Sequence, residues 1–446
     1  MGFFKSSPKI PQPPLPNLAI HLYGPTDKVF KPDDIVTGHI ALTPIVSITP
    51  QVIEVSLFGQ SMIWYRVGHK NQKSNTTSYS HYRDNAPLFE VAENVLPNHS
   101  SEGKLLNTFD PGQTYTFAFG FRFPAGTGNS RFGQYKQDVD ERWVVTPHDL
   151  PPTFLHTGKM GDGTDADYAK VEYGVRAKLI CPGVGVVVGD QLADLTATIP
   201  VLFQPLNPNI EQTMSGPLSV IRHPKKFVFQ SSILTGQPAS QIGFRQSMRD
   251  RFSSSTPKLD FEAAVEMPDL LTSGTEFRFR ASFKVLTKSH DVTHIPGLTF
   301  RVLKLDLLDF TFYRAPRDNE ASSRRDGTHW KNKHVNMPSS DKMFEHPGQQ
   351  HEDYTERKTH LNSIPDFATL ELEEVPSYED EKQMEQAKSC EVWFTSRVPG
   401  FTPPSFKSFA IARVYRVKVK LGVEVGGKQF VLEAESHVRH MGSAPS

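Results

Sequence analysis

The residues with the clearest chemical potential are prolines next to a tyrosine. Val375-Pro376-Ser377-Tyr378 sets proline and tyrosine two positions apart, among Glu371, Glu373, Glu374, Glu379 and Asp380. A WW-domain groove reads that spacing, stacking the proline ring on its aromatic wall and seating the tyrosine in a neighbouring pocket. The same residues also fit a loop proline beside a packed tyrosine. Pro13-Pro14-Leu15-Pro16 is a second polyproline element, open to a WW or SH3 groove or to a plain linker reading. Two basic groups come next. Arg222-His223-Pro224-Lys225-Lys226 is one, and Arg416, Lys418 and Lys420, alternating with Val417, Val419 and Leu421, form the other. Cations spaced by two on a strand share a face and attract anionic lipid or an acidic or phosphorylated tail; a solvated strand kept soluble by lysines has the same pattern.

Catalytic patterns are missing from the sequence. It holds no Gly-x-Ser-x-Gly elbow, phosphate-binding loop or His-Glu-x-x-His pair. The run Pro182–Gly189 is glycine-rich but lacks dinucleotide spacing, so it reads as strand and turn. Asp162, Asp165 and Asp167 lack the central glycine and closing glutamate of a calcium loop. His329, His334, His346, His351 and His360 are too loosely spaced for ordered zinc ligation. The expectation is a protein that is not an enzyme and uses no cofactor and no metal. Met1-Gly2-Phe3-Phe4-Lys5-Ser6 fits a myristoylation start in form, although bulky Phe3 opposes it. The stretch from Ser247 to Thr256 places Arg249 and Arg251 beside Ser253, Ser254 and Ser255, where a phosphate would meet arginines.

Positioning these groups is a task for a large chain. Its 446 residues exceed what one core usually organises, so two domains are expected. Charge balances at 49 basic and 49 acidic side chains, which gives no general pull toward nucleic acid. Thirty-five prolines and 31 phenylalanines suit strands joined by many turns. Cys181 and Cys390 are the only cysteines, and reduced thiols in the cytosol are the expectation. The start of the chain lacks a signal-peptide core, and no apolar run approaches the roughly 18 residues of a membrane span.

Period-two alternation dominates. Tyr115, Phe117, Phe119, Phe121 and Phe123 line one face of a strand, with Thr116, Ala118, Gly120 and Arg122 on the other. Val171, Tyr173, Val175, Ala177 and Leu179 repeat the pattern, as do Leu259 to Val265, Phe277 to Val285, Leu303-Leu305-Leu307 and Val417 to Val425. Gly426-Gly427 predicts a hairpin turn into a return strand through Phe430, Leu432 and Ala434. The expected organisation is a proline-rich tail over 1–16, a β-sandwich over 17–206, a linker over 207–226 and a second β-sandwich over 227–441. Polar stretches near 67–86, 240–256 and 315–365 predict mobile surface insertions, the last one disordered.

The order of these pieces resembles the fungal arrestin-like family. Leu18-Ala-Ile-His-Leu-Tyr23, then Val29-Phe-Lys-Pro32-Asp33-Asp34 and Val36-Thr-Gly38, is similar to that family's first hairpin, where Pro-Gly-Asp is usual at the turn. Phe109-Asp-Pro-Gly112 leading into Tyr115–Pro124, Leu150-Pro-Pro-Thr-Phe154 before Val171–Val175, and Pro404-Ser-Phe406 before Phe409–Val425 carry the rest of the likeness. The resemblance implies an all-β chain of two tandem antiparallel immunoglobulin-like sandwiches, the arrestin fold. It also implies a cytoplasmic adaptor, recruited to plasma membrane or endosomes, that links transporters or receptors to ubiquitination, endocytosis and sorting. A HECT-type ubiquitin ligase would be the WW-domain partner, although Val375 stands where proline or leucine is usual. The alternative it leaves open is an interaction scaffold in signalling or retromer-like sorting with no ligase contact.

Overall fold

The computed structural model describes residues 11–70, 75–97, 108–128, 141–157, 167–188, 191–205, 219–237, 253, 255–318, 350–375 and 387–443. The chain is all-β and builds two compact units. The first comprises Met1–Leu206, Phe312–Asp353 and Phe406–Ala412; the second comprises Asn207–Thr311, Tyr354–Ser405 and Arg413–Ser446. Each unit is therefore assembled from separated parts of the chain, where the sequence predicted one continuous span per domain.

In chain order the first strands are β1 (Asn17–Leu22), β2 (Val29–Phe30), β3 (Ile35–Thr43), β4 (Val52–Lys70), β5 (Thr77–Asn94) and β6 (Tyr115–Arg122). They are followed by β7 (Phe154–Thr157), β8 (Tyr168–Ile180), β9 (Val186–Val188), β10 (Gln191–Ala193) and β11 (Leu195–Phe203). One sheet has the order β1-β3-β6 and the other β2-β11-β8-β4-β5, with β7 against β8. The aromatic strand β6 buries Phe117, Phe119 and Phe121 and exposes Thr116, Ala118, Gly120 and Arg122, as its alternation requires. Each fully buried phenylalanine contributes roughly 1.5–3 kcal/mol by leaving water.

The Leu150–Phe154 block acts as a clamp in this unit. The Tyr173 hydroxyl donates to the Pro151 carbonyl at 2.6 Å, and Thr153 bonds Phe203 through both its backbone nitrogen and its hydroxyl. That joins β8 to β11 at a point where Phe123, Tyr173 and Phe203 meet ring to ring. The polar stretch near 67–86 is largely structured. Its described residues extend the β4–β5 hairpin from Val67↔Ser80 out to Lys70↔Thr77.

The second set is β12 (Val220–Gln230), β13 (Lys258–Pro268), β14 (Leu270–Thr272), β15 (Glu276–Lys288), β16 (Leu298–Pro316), β17 (Gln350–His360) and β18 (Ser363–Ile364). Then come β19 (Phe367–Leu370), β20 (Glu373–Val375), β21 (Ala387–Arg397), β22 (Phe406–Lys407), β23 (Ile411–Val425), β24 (Lys428–Val438) and β25 (His440–Gly442). One sheet of the second unit runs β12-β13-β15-β21-β18, with β20 also against β21. The other has β17, β16 and β23 in order, with β19 on β16 and β24 on β23. Their inner faces bury Phe261, Phe279, Phe283, Phe300, Phe394, Val419 and Leu421 in one core. Gly426 and Gly427 turn β23 into β24 with φ of 56° and 79°, the two left-handed residues a type I′ turn needs.

Three expectations change here. Residues 220–226, read as linker, belong to β12, because Ile221, Phe227 and Phe229 supply an alternating side and β13 supplies hydrogen bonds. Residues 350–360 and 363–364, read as part of a disordered insertion, form β17 and β18; none of residues 351–360 is buried, while Leu361 between the two strands enters the core. Leu303, read as core with Leu305 and Leu307, is 39% exposed, since burial along β16 changes phase between Phe300 and Leu305. The rest of the 315–365 insertion, from 319 to 349, lies outside the described residues.

Candidate functional site

The basic strand face has the geometry its spacing predicts, and it has partners. On β23, Val417, Val419 and Leu421 point into the core, which leaves Arg416, Lys418 and Lys420 on the outer side. The Gly426-Gly427 turn then sets the register of β24, so that Lys420 lies opposite Glu433 and Lys418 opposite Glu435. Lys420 Nζ reaches Glu433 at 2.9 Å, and Arg416 Nη1 reaches Glu435 at 2.8 Å. Arg416 also lies over the Phe310 ring of β16, 5.0 Å from its centroid.

A fourth cation arrives from the other sheet. Lys225 of β12 passes the Phe227 ring and donates from Nζ to the Val431 carbonyl at 3.2 Å. Glu433 is held below the ordinary carboxylate value first by Lys420, which hydrogen-bonds it, and then by the charges of Lys418 and Lys225. Four cations (Lys225, Arg416, Lys418, Lys420) thus meet three carboxylates (Glu433 and Glu435 of β24 and the exposed Glu424 of β23), a surplus of one positive charge. The face attracts anions while its cross-strand pairs hold the cations in register.

Arg222 is not part of this cluster. It pairs with Glu262 at 2.5 Å and Glu266 at 3.4 Å, and Arg280 joins Glu266 to Glu391. Alternation along β12 explains the separation, since residues 222 and 225 point to opposite faces. Lys226 is exposed across from Glu262. The sequence reading named the cations and missed Glu433 and Glu435. Counting back from the glycine turn would have found them, because Val425 opposite Lys428 fixes every later pair.

The proline elements fare differently. Val375 ends β20 opposite Ala387, while Pro376, Ser377 and Tyr378 lie outside the described residues. Pro13, Pro14, Leu15 and Pro16 are described, and they are tied down. Gln12 donates to the Gly185 carbonyl at 2.8 Å and accepts from the Val187 nitrogen at 2.9 Å. Pro16 is buried, which removes one face a WW or SH3 groove would need. The expected free tail is thus a strap from residue 12 onward.

His351 packs on Tyr65 of the first unit, whose hydroxyl donates to the His351 carbonyl at 2.6 Å, and His360 lies beside Asp306 in the second. Among the described residues no group of three or more histidine, cysteine or acidic side chains could hold a metal ion. Cys181 and Cys390 are not joined to each other, and burial pushes the Cys181 thiol up. Arg249, Arg251 and Ser254 lie outside the described residues. No described helix is long and apolar enough to cross a membrane. Comparison with known proteins found no matching family model and no matching curated protein, so the functional reading stands on this chain's own residues.

Proposed function

We propose that this chain is a non-enzymatic, arrestin-like adaptor of the cytoplasm that docks on membranes bearing its cargo. The observation that supports the reading is the surplus of cations around Glu433 and Glu435. Juxtamembrane cations are worth about 1 kcal/mol each near an anionic surface. Replacing Lys418 and Lys420 by alanine should therefore weaken binding to phosphatidylserine vesicles by about 2 kcal/mol, roughly 30-fold. Vesicle flotation at low and high salt measures this. Binding that is indifferent to both the substitutions and the salt would count against the docking role.

The step to ubiquitination rests on Val375-Pro376-Ser377-Tyr378 in the sequence. Titration of the purified protein against HECT-ligase WW domains, with Tyr378→Ala beside wild type, tests it. Binding lost in the variant makes the chain a ligase adaptor; binding absent, or unchanged by Tyr378→Ala, leaves the scaffold reading without ligase contact.

A further inference from the structure

The first unit takes in a short piece of chain from late in the sequence, Phe406–Ala412. Within it Phe409, Ala410 and Ile411 are fully buried in that unit's core. Neighbouring elements bind its backbone. Arg314, fully buried near the end of β16, donates from its backbone nitrogen to the Ala410 carbonyl and from Nε to the Phe409 carbonyl, both at 3.0 Å. The Val144 nitrogen donates to the Ser408 carbonyl at 3.3 Å.

Ser408 is held by its side chain as well. Its hydroxyl is fully buried and lies 3.1 Å from Nε2 of His148. Nδ1 of the same ring lies 2.8 Å from the Thr146 carbonyl, which can only accept. Nδ1 therefore carries the ring proton, Nε2 keeps its lone pair, and the serine hydroxyl is the donor. Thr127 fixes the backbone beneath the ring: His148 N donates to Thr127 Oγ1 at 3.1 Å, and Thr127 N donates to the His148 carbonyl at 2.8 Å. The Phe409 ring packs against the imidazole at close to a right angle, with centroids 4.7 Å apart.

A proton added to Nε2 removes the acceptor. The ring would then donate to Ser408 Oγ, and the serine's own proton has no second acceptor among the described residues. A buried hydroxyl left unpaired bears its full desolvation cost. Burial holds the imidazole below the ordinary histidine value, with the Thr146 hydrogen bond and the Asp149 charge acting in the opposite sense. Asp149 is exposed, so water screens it. On the packed elements, Arg142 pairs with Glu352 at 3.2 Å, and Glu141 and Lys407 are exposed. Arg314 carries a permanent charge 4.6 Å over the Trp143 ring, so the other buried ion gripping this segment is itself a cation.

We propose that His148 and Ser408 form an acid-sensitive latch on the Phe406–Ala412 segment: neutral His148 accepts the serine hydroxyl and keeps the segment in the core, and protonated His148 lets it go more readily. With the segment out, the imidazole takes up its proton near the ordinary value of about 6.5. With the segment in, it does so only at lower pH. Opening therefore becomes more frequent as pH falls through about 6.5, until the closed form is protonated too. The latch lies apart from the Lys418 and Lys420 face and does not depend on the adaptor reading.

The test is amide hydrogen exchange of the full chain at about pH 7.5 and about pH 5.5, corrected for the intrinsic effect of pH on exchange. The amides of Val144 and Arg314, which donate to Ser408 and Ala410, report on the latch, and those of β8 report on the rest of the unit. In wild type the first pair should lose protection about five- to tenfold on acidification, while β8 keeps its own. His148→Gln, neutral at both values, should show no such loss. Ser408→Ala lacks the hydroxyl that protonation leaves unpaired, so its loss should be smaller than in wild type. Thermal unfolding at the higher pH shows whether each variant is folded. Nitrogen NMR of the His148 ring in wild type needs no variant: it should show the Nδ1–H form at the higher pH and proton uptake in step with the loss of protection. Equal acid loss in folded His148→Gln, or proton uptake by His148 with protection intact, would overturn the proposal. So would a parallel loss across β8, since acid would then unfold the unit as a whole.

Discussion

Asp33 occupies a conformation that glycine prefers, with φ of 68° at the turn between β2 and β3. Aspartate tolerates this better than most residues, yet the left-handed region still costs up to about 1–2 kcal/mol. Replacing Asp33 by glycine should thus be neutral or stabilising by up to about 1 kcal/mol, read from the urea midpoint, with the Asp34 bond to the Lys31 nitrogen kept. The buried Tyr173 hydroxyl is a second case. Tyr173→Phe leaves the Pro151 carbonyl without its donor and should cost about 1–2 kcal/mol. Asp306 gives a pH prediction with a definite sign. Burial pushes its carboxyl up, but hydrogen bonds from Lys358 and His360 and the charges of Lys358 and Lys304 outweigh that and hold it below 3.8. A folded value below the unfolded one contributes stability above that pH, lost as pH falls through the lowered folded value. Urea midpoints of wild type should therefore drop more steeply than those of Asp306→Asn between about pH 5 and pH 3.

Elements differ in how plainly they can be read. β6, β8, β13, β15 and β23 each bury one face, so alternation revealed them, and the glycine pair announced the β23–β24 turn. That turn yields a graded prediction. A Cβ at Gly426 would meet Phe229, Pro296 and Ile233 within 3.4 Å, whereas one at Gly427 meets nothing within 4 Å. Both alanine variants carry the left-handed cost of about 1–2 kcal/mol, and thermal unfolding should show Gly426→Ala the more damaging. β17 escaped notice because none of residues 351–360 is buried. A strand held by backbone bonds to its neighbour leaves little trace in hydropathy. The phase change in β16 was hidden for a related reason: Leu303, Leu305 and Leu307 alternate perfectly, yet Leu303 alone faces out. Of the candidate site, the cations were legible as residue types, while the acids that pair with them depend on register.

At the scale of the molecule, the first unit draws on three stretches of chain. Its core includes Tyr313, Ala315, Phe409, Ala410 and Ile411 beside the residues before 206. A chain ended at Leu206 should consequently expose that core, bind a hydrophobic dye and unfold without a sharp transition, as calorimetry and dye fluorescence would report. A sharp transition in that fragment would show the later segments to be dispensable. The same feature sets a timetable at the ribosome. Translation proceeds at about 5–20 residues per second, so the roughly 200 residues between Leu206 and Ala412 take about 10–40 seconds to appear. Throughout that interval the nascent first unit lacks its last core residues while the second is still being made, so the chain can complete neither half until translation is nearly over.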